Sequence, residues 1–467
     1  MTQPPDSSTL HALLADLPAE IVTTDRDRVL GFVRDESRFT AHDSPLAVVT
    51  PRSTAEVAQV LRAAHRHGIG VVTRGAGSGL SGGANAVAGC VVLSTHRLDR
   101  ILEIDTAERV LVTQPGVVTS DVRAAAAAEG LFYPPDPGSV AFSTIGGNVA
   151  TNAGGMCCVK YGVTGDYVLG LEAVLADGRI LRTGRRTAKG VAGYDLTRLL
   201  VGSEGTLAVI TEVTLRLVPA PRAPRTVLAT FPGLLQAGDA IATIASGAVV
   251  PSVFELLDRV TLRAIEEMEP SGFDDEIGAV LILQSDSASA AEDSDHLAQL
   301  CSAAGAVDVA VSEDAQEAHL LLQARRLALP ALQARGDWLL DDVCVPRNRI
   351  VELLRRIEEV ASAEQVTIGV FGHAGDGNMH PTVVFDEADE TGAAAATRAF
   401  DRITGAALEL GGTVTGEHGI GRLKAAWLGR ELGDVARDVH RALKHAWDPT
   451  GVLNPGVMGL APRPVRD

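Results

Sequence analysis

The chain has 467 residues, enough for two or three domains, with 46% hydrophobic residues and a formal charge of −18. It has no lysine- or arginine-rich stripe or tail, which argues against nucleic acid as a partner, and no apolar run of membrane-spanning length. The N-terminal MTQPPDSSTLHALLADL lacks the basic and apolar parts of a secretory signal, and Cys90, Cys157, Cys158, Cys301 and Cys344 form no C-x-x-C pair. Together these features point to a cytoplasmic protein with reduced thiols, with peripheral membrane association left open.

Residues 1–45 read as an N-terminal leader, helical within 8–45. From Leu46 the pattern becomes strand, helix, strand: Ala47-Val48-Val49 is apolar, Thr54 can cap a helix over 55–67, and Gly68 ends it. The run Ile69 to Val72 then leads into RGAGSGLSGGANAVAG, with five glycines between Gly75 and Gly83. Gly77, Gly79 and Gly82 satisfy G-x-G-x-x-G, the dinucleotide fingerprint. That motif needs a helix after the glycines to carry the pyrophosphate on its N-terminus. Here Cys90-Val91-Val92-Leu93 already reads as the next strand, and no acidic residue follows until Asp99 and Glu103. No Gly-Lys-Ser/Thr follows, so a P-loop also fails. Two readings stand: an anion nest of backbone amides that converges on a diphosphate, or a plain glycine-rich hairpin.

Further strands are expected near 91–94 and 110–113, then an alanine-rich helix opened by Thr119 or Ser120 and closed by Gly130. A second small-residue stretch, PPDPGSVAFSTIGGNVATNAGG, covers 134–155, and strands near 168–175 and 207–217 flank GYDLTRLLVGSEGTL. The three prolines of VPAPRAPR, 218–225, mark a domain boundary. Beyond it, strands over 226–231, 278–284, 339–345 and 367–371 alternate with helices over 234–246, 289–304, 313–328, 347–361 and 391–410, which predicts a sheet covered on one side.

Two downstream loops carry the second chemical signal, GHAGDGNMHPTVVF at 372–385 and GGTVTGEHGIGRLK at 411–424. His373 and His380 bracket a glycine turn and can face one cavity, and Glu417 can add a third ligand. Two imidazoles and a carboxylate form a set common in catalytic metal sites, with a position left for substrate. His418, beside Glu417, is then placed as a general base. The plainer reading is that these histidines cap strand ends; Asp376 and Asn378 read as turn-shaping residues.

At this point the motifs VTRGAGSGLSGGA, PPDPGS, IGGNVATNAGG, YGVTGDYVLGLE, LLVGSEGTLAVIT, HAGDGNMH, GEHGIGRLK and DPTGVLNPG stand in order from about Leu46 to Met458. The chain resembles the FAD-linked oxidases of the vanillyl-alcohol oxidase/p-cresol methylhydroxylase type, and most of all their D-2-hydroxyacid dehydrogenase branch (glycolate oxidase large subunit, D-lactate dehydrogenase, D-2-hydroxyglutarate dehydrogenase). The resemblance implies an α+β chain: a two-subdomain FAD-binding domain at 46–221, an α+β, ferredoxin-like substrate or cap domain with the metal site at 222–425, and a C-terminal segment, 426–467, returning to the FAD domain.

The resemblance also implies residue roles. Thr73, Arg74, Gly75, Ala76, Gly77, Ser78, Gly79, Gly82 and Gly83 wrap the FAD pyrophosphate; Pro135, Asp136, Pro137, Ser139, Gly147, Asn148 and Thr151 line the flavin; Glu204, Gly205 and Ile210 fall on the adenine side; Asn454 lies in the returning segment. Some relatives attach FAD through a histidine near the loop, but no histidine lies in 68–95, so the FAD is expected to be non-covalent. His373, His380 and Glu417 bind a divalent metal, zinc first with iron(II) and manganese(II) as alternatives. His418 takes a proton and Arg325 clamps the substrate carboxylate. Taken alone, Arg325 beside Arg326 reads as a solvated helix charge.

The expected substrate is a small D-2-hydroxy acid, D-lactate or glycolate, oxidised to the 2-oxo acid. Electrons pass to an acceptor that is a quinone, a cytochrome, an electron-transfer flavoprotein or oxygen. A homodimer is allowed. Three rivals remain: a D-2-hydroxyglutarate dehydrogenase, a non-catalytic flavin subunit of a glycolate oxidase complex, and a metal hydrolase with no redox role. Against the first, Leu340 stands where hydroxyglutarate enzymes carry a lysine, which leaves a second carboxylate without a partner. Leu322 replaces a tryptophan frequent in glycolate enzymes.

Overall fold

Strands buried along most of their length build two units, the first of residues Met1–Ala153, Val163–Ala220 and Glu417–Asp467, the second of Gly154–Gly162 and Pro221–Gly416. The computed structural model describes residues 7–187, 189–270, 272–273, 276–312 and 314–460. The first residues of the expected leader, Glu313 at the start of the expected helix 313–328, and the last residues of the expected C-terminal segment lie outside this range.

In the first unit, a four-stranded sheet has the order Val22–Thr23, Ala47–Val49, Val91–Ser94, Val71–Arg74. The helix Thr54–His67 links two of its strands. Its N-cap is Ser53, not the expected Thr54: Ser53 is extended and its hydroxyl accepts from the Glu56 amide at 3.3 Å, while Gly68 closes the helix at φ 64°. Val71–Arg74 and Val91–Ser94 pair in parallel. A hairpin joins antiparallel strands, so the hairpin reading of the glycine stretch fails. Residues 75–90 cross between parallel strands without a helix.

The unit's second sheet is antiparallel, in the order Ile101–Asp105, Val110–Thr113, Val209–Arg216, Val168–Val174, Ile180–Gly184. The second small-residue stretch contains a short helix, Ile145–Thr151, ended by Asn152 at φ 55°. Apolar residues of the four-stranded sheet and of helix Thr54–His67 form one core, into which Val452 and Leu453 also pack.

The second unit is built on an eight-stranded antiparallel sheet. Its path is Asp308–Val311, Arg225–Phe231, Ala279–Ser285, Val253–Asp258, Thr367–His373, Asn378–Phe385, Asp337–Leu340, and Val343–Cys344 pairs with Asn378–Phe385. The expected strand 339–345 is thus two pieces, divided at Asp341-Asp342, both almost fully buried. One sheet face packs Phe231, Phe254, Leu281 and Val370 against helices Leu234–Ala245, Ala290–Ala303, Ile350–Glu364 and Glu390–Glu409. The other face is not open as expected. Helices Arg259–Met268 and Gln323–Gln333 lie on it, and a Cβ on Gly369 would meet Leu332 and Thr261. No helix among the described residues is long and apolar enough to cross a membrane.

Candidate active site

In the first unit several predicted flavin residues meet at the end of strand Val71–Arg74: a Cβ on Gly75 would come within 4 Å of Gly147, and one on Gly205 within 4 Å of Thr73 and Asn454. Thr73 and Arg74 close that strand, and the Arg74 guanidinium donates to the Arg34 carbonyl at 2.8 Å. Two of the glycines after it have little room for a side chain. Gly77 has φ +79° and a Cβ there would collide with Arg74; one on Gly75 would collide with Thr144. Through Ala76 and Ser78 the loop reaches Gly79, whose carbonyl accepts from the Glu36 amide at 3.0 Å. The Gly82 carbonyl accepts from Arg422 at 2.6 Å and the Gly83 carbonyl from Asn454 at 3.0 Å.

Helix Ile145–Thr151 supplies Gly147, Asn148 and Thr151. The Asn148 amide donates to Thr119 Oγ1 at 2.7 Å, and the Thr151 hydroxyl donates to the Gly147 carbonyl at 3.2 Å. Pro135, Asp136 and Ser139 precede it. The Pro135 carbonyl holds Arg123, Asp136 is buried, and the Ser139 carbonyl accepts from Ser143. Ile210 lies buried in strand Val209–Arg216. Three buried polar atoms of this region, Thr73 Oγ1, Thr144 Oγ1 and Asn454 Oδ1, have no hydrogen-bond partner. Buried polar atoms are rarely left so, and three near one bare backbone loop fit a polar cofactor.

Glu204, expected on the adenine side, has hydrogen bonds of its own within the unit. It sits at φ 50°, followed by Gly205 at φ 69°. Its carboxylate oxygens each accept, at 2.7 Å, from the amides of Ile420 and Gly421. Burial pushes its carboxyl up to about 7 against these two amides. The side chain thereby clamps the segment that begins with Glu417 and His418. Those two are neighbours also in space, with His418 Nε2 3.6 Å from Glu417 Oε1.

In the second unit the two histidines stand on adjacent strands. His373 ends Thr367–His373, and His380 lies opposite Phe371 in the register of the next strand. Residues alternate faces along a strand, so Phe371, His373 and His380 share one face, and the histidine rings meet edge to face with centroids 5.1 Å apart. Glu255, opposite His373 on the other side, shares that face. It is fully buried: His373 Nδ1 lies 2.7 Å from one oxygen and Arg325 Nε donates to the other. Burial alone would raise the Glu255 carboxyl, but His373 and Arg325 outweigh it and hold it below the usual range. The Arg325 guanidinium also stacks on Phe371, 4.8 Å from the ring centre. Its side chain is 11% exposed, so it is not the solvated charge that its sequence context allowed, whereas Arg326 is exposed.

An oxygen of buried Asp342 lies 3.7 Å from His380 Nδ1, beyond hydrogen-bond distance. The same carboxylate accepts from Asn378 at 2.8 Å, Thr415 at 2.7 Å and the Gly416 amide at 2.9 Å. Asn378 is therefore more than a turn residue. Gly416 ends the second unit, and Glu417 follows it by one peptide bond. The structure thus gathers the predicted flavin residues in the first unit and His373, His380 and Arg325 in the second, and sets Glu417 beside His418. Sequence reading missed Glu255 and the bonding role of Asp342. The signal available was an acidic residue inside an otherwise apolar strand, VFELLD, and the double aspartate that interrupts a strand.

Comparison with known proteins identifies the family. A family described as "FAD binding domain" matches residues 45–184, and one described as "FAD linked oxidases, C-terminal domain" matches residues 220–458. The glycolate oxidase subunit GlcD of Bacillus subtilis (strain 168) is 42% identical over 417 residues, 89% of each chain. A D-lactate dehydrogenase of Archaeoglobus fulgidus is 37% identical over 410 residues, 88% of this chain and 90% of that one. Among solved structures, a 4-ethylphenol oxidase from Gulosibacter chungangensis superposes with a TM-score of 0.80 over 99% of this chain and 100% of that one, at 19% identity, a likeness of fold.

Proposed function

The chain belongs to the FAD-linked oxidases, and on that premise we propose that it oxidises a small D-2-hydroxy acid of the D-lactate or glycolate type to the 2-oxo acid, using non-covalent FAD and a divalent metal. The observation that carries this reading is the buried second-unit constellation: two histidines on one sheet face, with an arginine held beside them by a buried glutamate. His373 and His380, with Glu417, have the donor chemistry for a divalent cation, zinc foremost. Thr73, Asn454, the backbone of 75–83 and helix Ile145–Thr151 would hold the FAD.

Bound FAD supplies a hydride acceptor. A bound cation supplies positive charge that lowers the pKa of the substrate hydroxyl. The chain's own residues do the rest. Arg325 keeps its two terminal nitrogens for the substrate carboxylate, because Nε is committed to Glu255. His418 accepts the hydroxyl proton, and Glu204 fixes the segment that carries it. Leu322 and Leu340 are both buried, 6% exposed each, and neither can pair a second carboxylate, which favours a monocarboxylic acid over D-2-hydroxyglutarate.

Purified protein should reduce an artificial dye with D-lactate or glycolate and scarcely with D-2-hydroxyglutarate. Chelation, His373→Ala or Glu417→Ala should abolish this while leaving the flavin spectrum intact. His418→Ala should retain metal and lose about 10²- to 10⁴-fold in the rate of flavin reduction. Full activity in metal-free protein would refute the metal reading, and loss of metal in His418→Ala would make His418 a ligand.

A further inference from the structure

Glu255 is a buried carboxylate whose two oxygens are divided between two residues of different proposed function. His373 Nδ1 takes one at 2.7 Å, and Arg325 Nε donates to the other. Glu255 is 0% exposed and His373 5%, so water competes for neither. A carboxylate accepts hydrogen bonds and donates none, so the neighbouring Nδ1 carries the proton, and in the neutral ring that a metal requires the lone pair of His373 is at Nε2. On the other side, an Nε committed to Glu255 and a Cζ held 4.8 Å over the Phe371 ring centre restrict which edge of Arg325 remains available.

We propose that Glu255 is a positioning residue that sets both the metal ligand and the carboxylate clamp: it holds His373 in the tautomer that ligates through Nε2 and turns the terminal edge of Arg325 toward a substrate carboxylate. The inference rests on the reading of His373 as a ligand and Arg325 as the clamp. It explains why a full negative charge is retained in an apolar strand, where Phe254, Leu256 and Leu257 are its neighbours. A single carboxylate shared in this way ties ligand geometry to substrate geometry, because a shift of Glu255 moves both partners.

The test measures zinc affinity of the metal-free protein by competition with a chromophoric chelator, alongside the Michaelis constant for D-lactate or glycolate. Glu255→Gln preserves volume and removes the charge; Glu255→Asp preserves the charge and shortens the reach, and serves if the glutamine variant does not fold. Residues that orient a metal ligand are typically worth 10- to 100-fold in affinity, so Glu255→Gln should weaken zinc by about that factor. Arg325→Lys should leave zinc affinity unchanged. Both single variants should raise the Michaelis constant, and the double variant should be no worse than Arg325→Lys alone, since the two act on one contact. FAD content and melting temperature near wild type exclude a general folding defect. Unchanged zinc affinity in Glu255→Gln, in a protein whose zinc is lost with His373→Ala, overturns this proposal alone. Zinc affinity that does not depend on His373 at all overturns instead the metal reading on which it rests.

Discussion

A single carboxylate can be followed through a whole pH range. Glu204 is buried, and the Ile420 and Gly421 amides on its two oxygens, with the nearby Arg422 charge, do not offset the cost of ionising it away from water. Its carboxyl therefore rises from its ordinary 4.5 to about 7 in the folded chain. The folded state then holds a proton that the unfolded chain has released between those values. The stabilisation is fully present below 4.5 and is lost as pH rises through 7, by up to about 3 kcal/mol. Glu204→Gln has no proton to exchange, so its stability should be flatter than wild type between pH 4.5 and 7. Urea titrations followed by flavin release, run at several pH values on both proteins, measure this. Parallel pH profiles for the two proteins would place the carboxyl at its ordinary value.

Elements show why glycines recur in the motifs. Gly421 lies at φ +51°, and a Cβ there would collide with the Ser81 backbone carbonyl, which also accepts the Arg422 and Leu423 amides. Neither backbone can move without breaking the return segment. Gly138, by contrast, has ordinary φ and open space around a Cβ. Gly421→Ala should therefore be severely destabilising, by more than the ~1–3 kcal/mol of a strained backbone position alone, and Gly138→Ala nearly neutral, as melting temperatures of the two purified variants will show. Such pairs also mark what was legible in sequence. The glycine motifs, the histidine pair and the helices with apolar periodicity could be read directly, because local spacing encodes them. Strand Asn378–Phe385 was hidden inside a motif that reads as a turn, and Val253–Asp258 contains an acidic residue that breaks the apolar run. The pairing of Glu255 with His373 and Arg325 joins residues 118 and 70 positions apart, which no local pattern records. The one-sided sheet failed for a similar reason: that helix Gln323–Gln333 covers the second face depends on tertiary packing, not on its own periodicity.

At the scale of the molecule, the flavin unit is not a contiguous piece of chain. The family match to residues 45–184 omits strand Val209–Arg216, the third of five in its sheet, and omits the return segment altogether. That segment is wired into the strand that leads to the glycine loop. Val71 donates to the Val452 carbonyl at 2.7 Å, and the Asn454 amide donates to the Val71 carbonyl at 2.8 Å. Buried Lys444 ties the turn down through Asp448 at 2.6 Å, the Thr206 carbonyl at 2.8 Å and the Leu453 carbonyl at 2.7 Å. Val452 and Leu453 are almost fully buried, and removing such side chains from a core costs about 1.5–3 kcal/mol each. Their loss also strands Glu204 without its amides and opens a sheet edge, against a total stability of only ~5–15 kcal/mol for a typical domain. A fragment of residues 1–220 should therefore be insoluble or devoid of FAD, although it holds nearly every predicted flavin residue. The same fragment co-expressed with residues 417–467 should be soluble and yellow, and should lack the metal, since His373 and His380 are absent from both pieces. Residues 154–162, which belong with the second unit, are present in both arms, so their exposure cancels in the comparison. Stoichiometric FAD on residues 1–220 alone would show that the return segment is dispensable for the cofactor, and that Asn454 and the Glu204 clamp serve only the residues that follow Gly416.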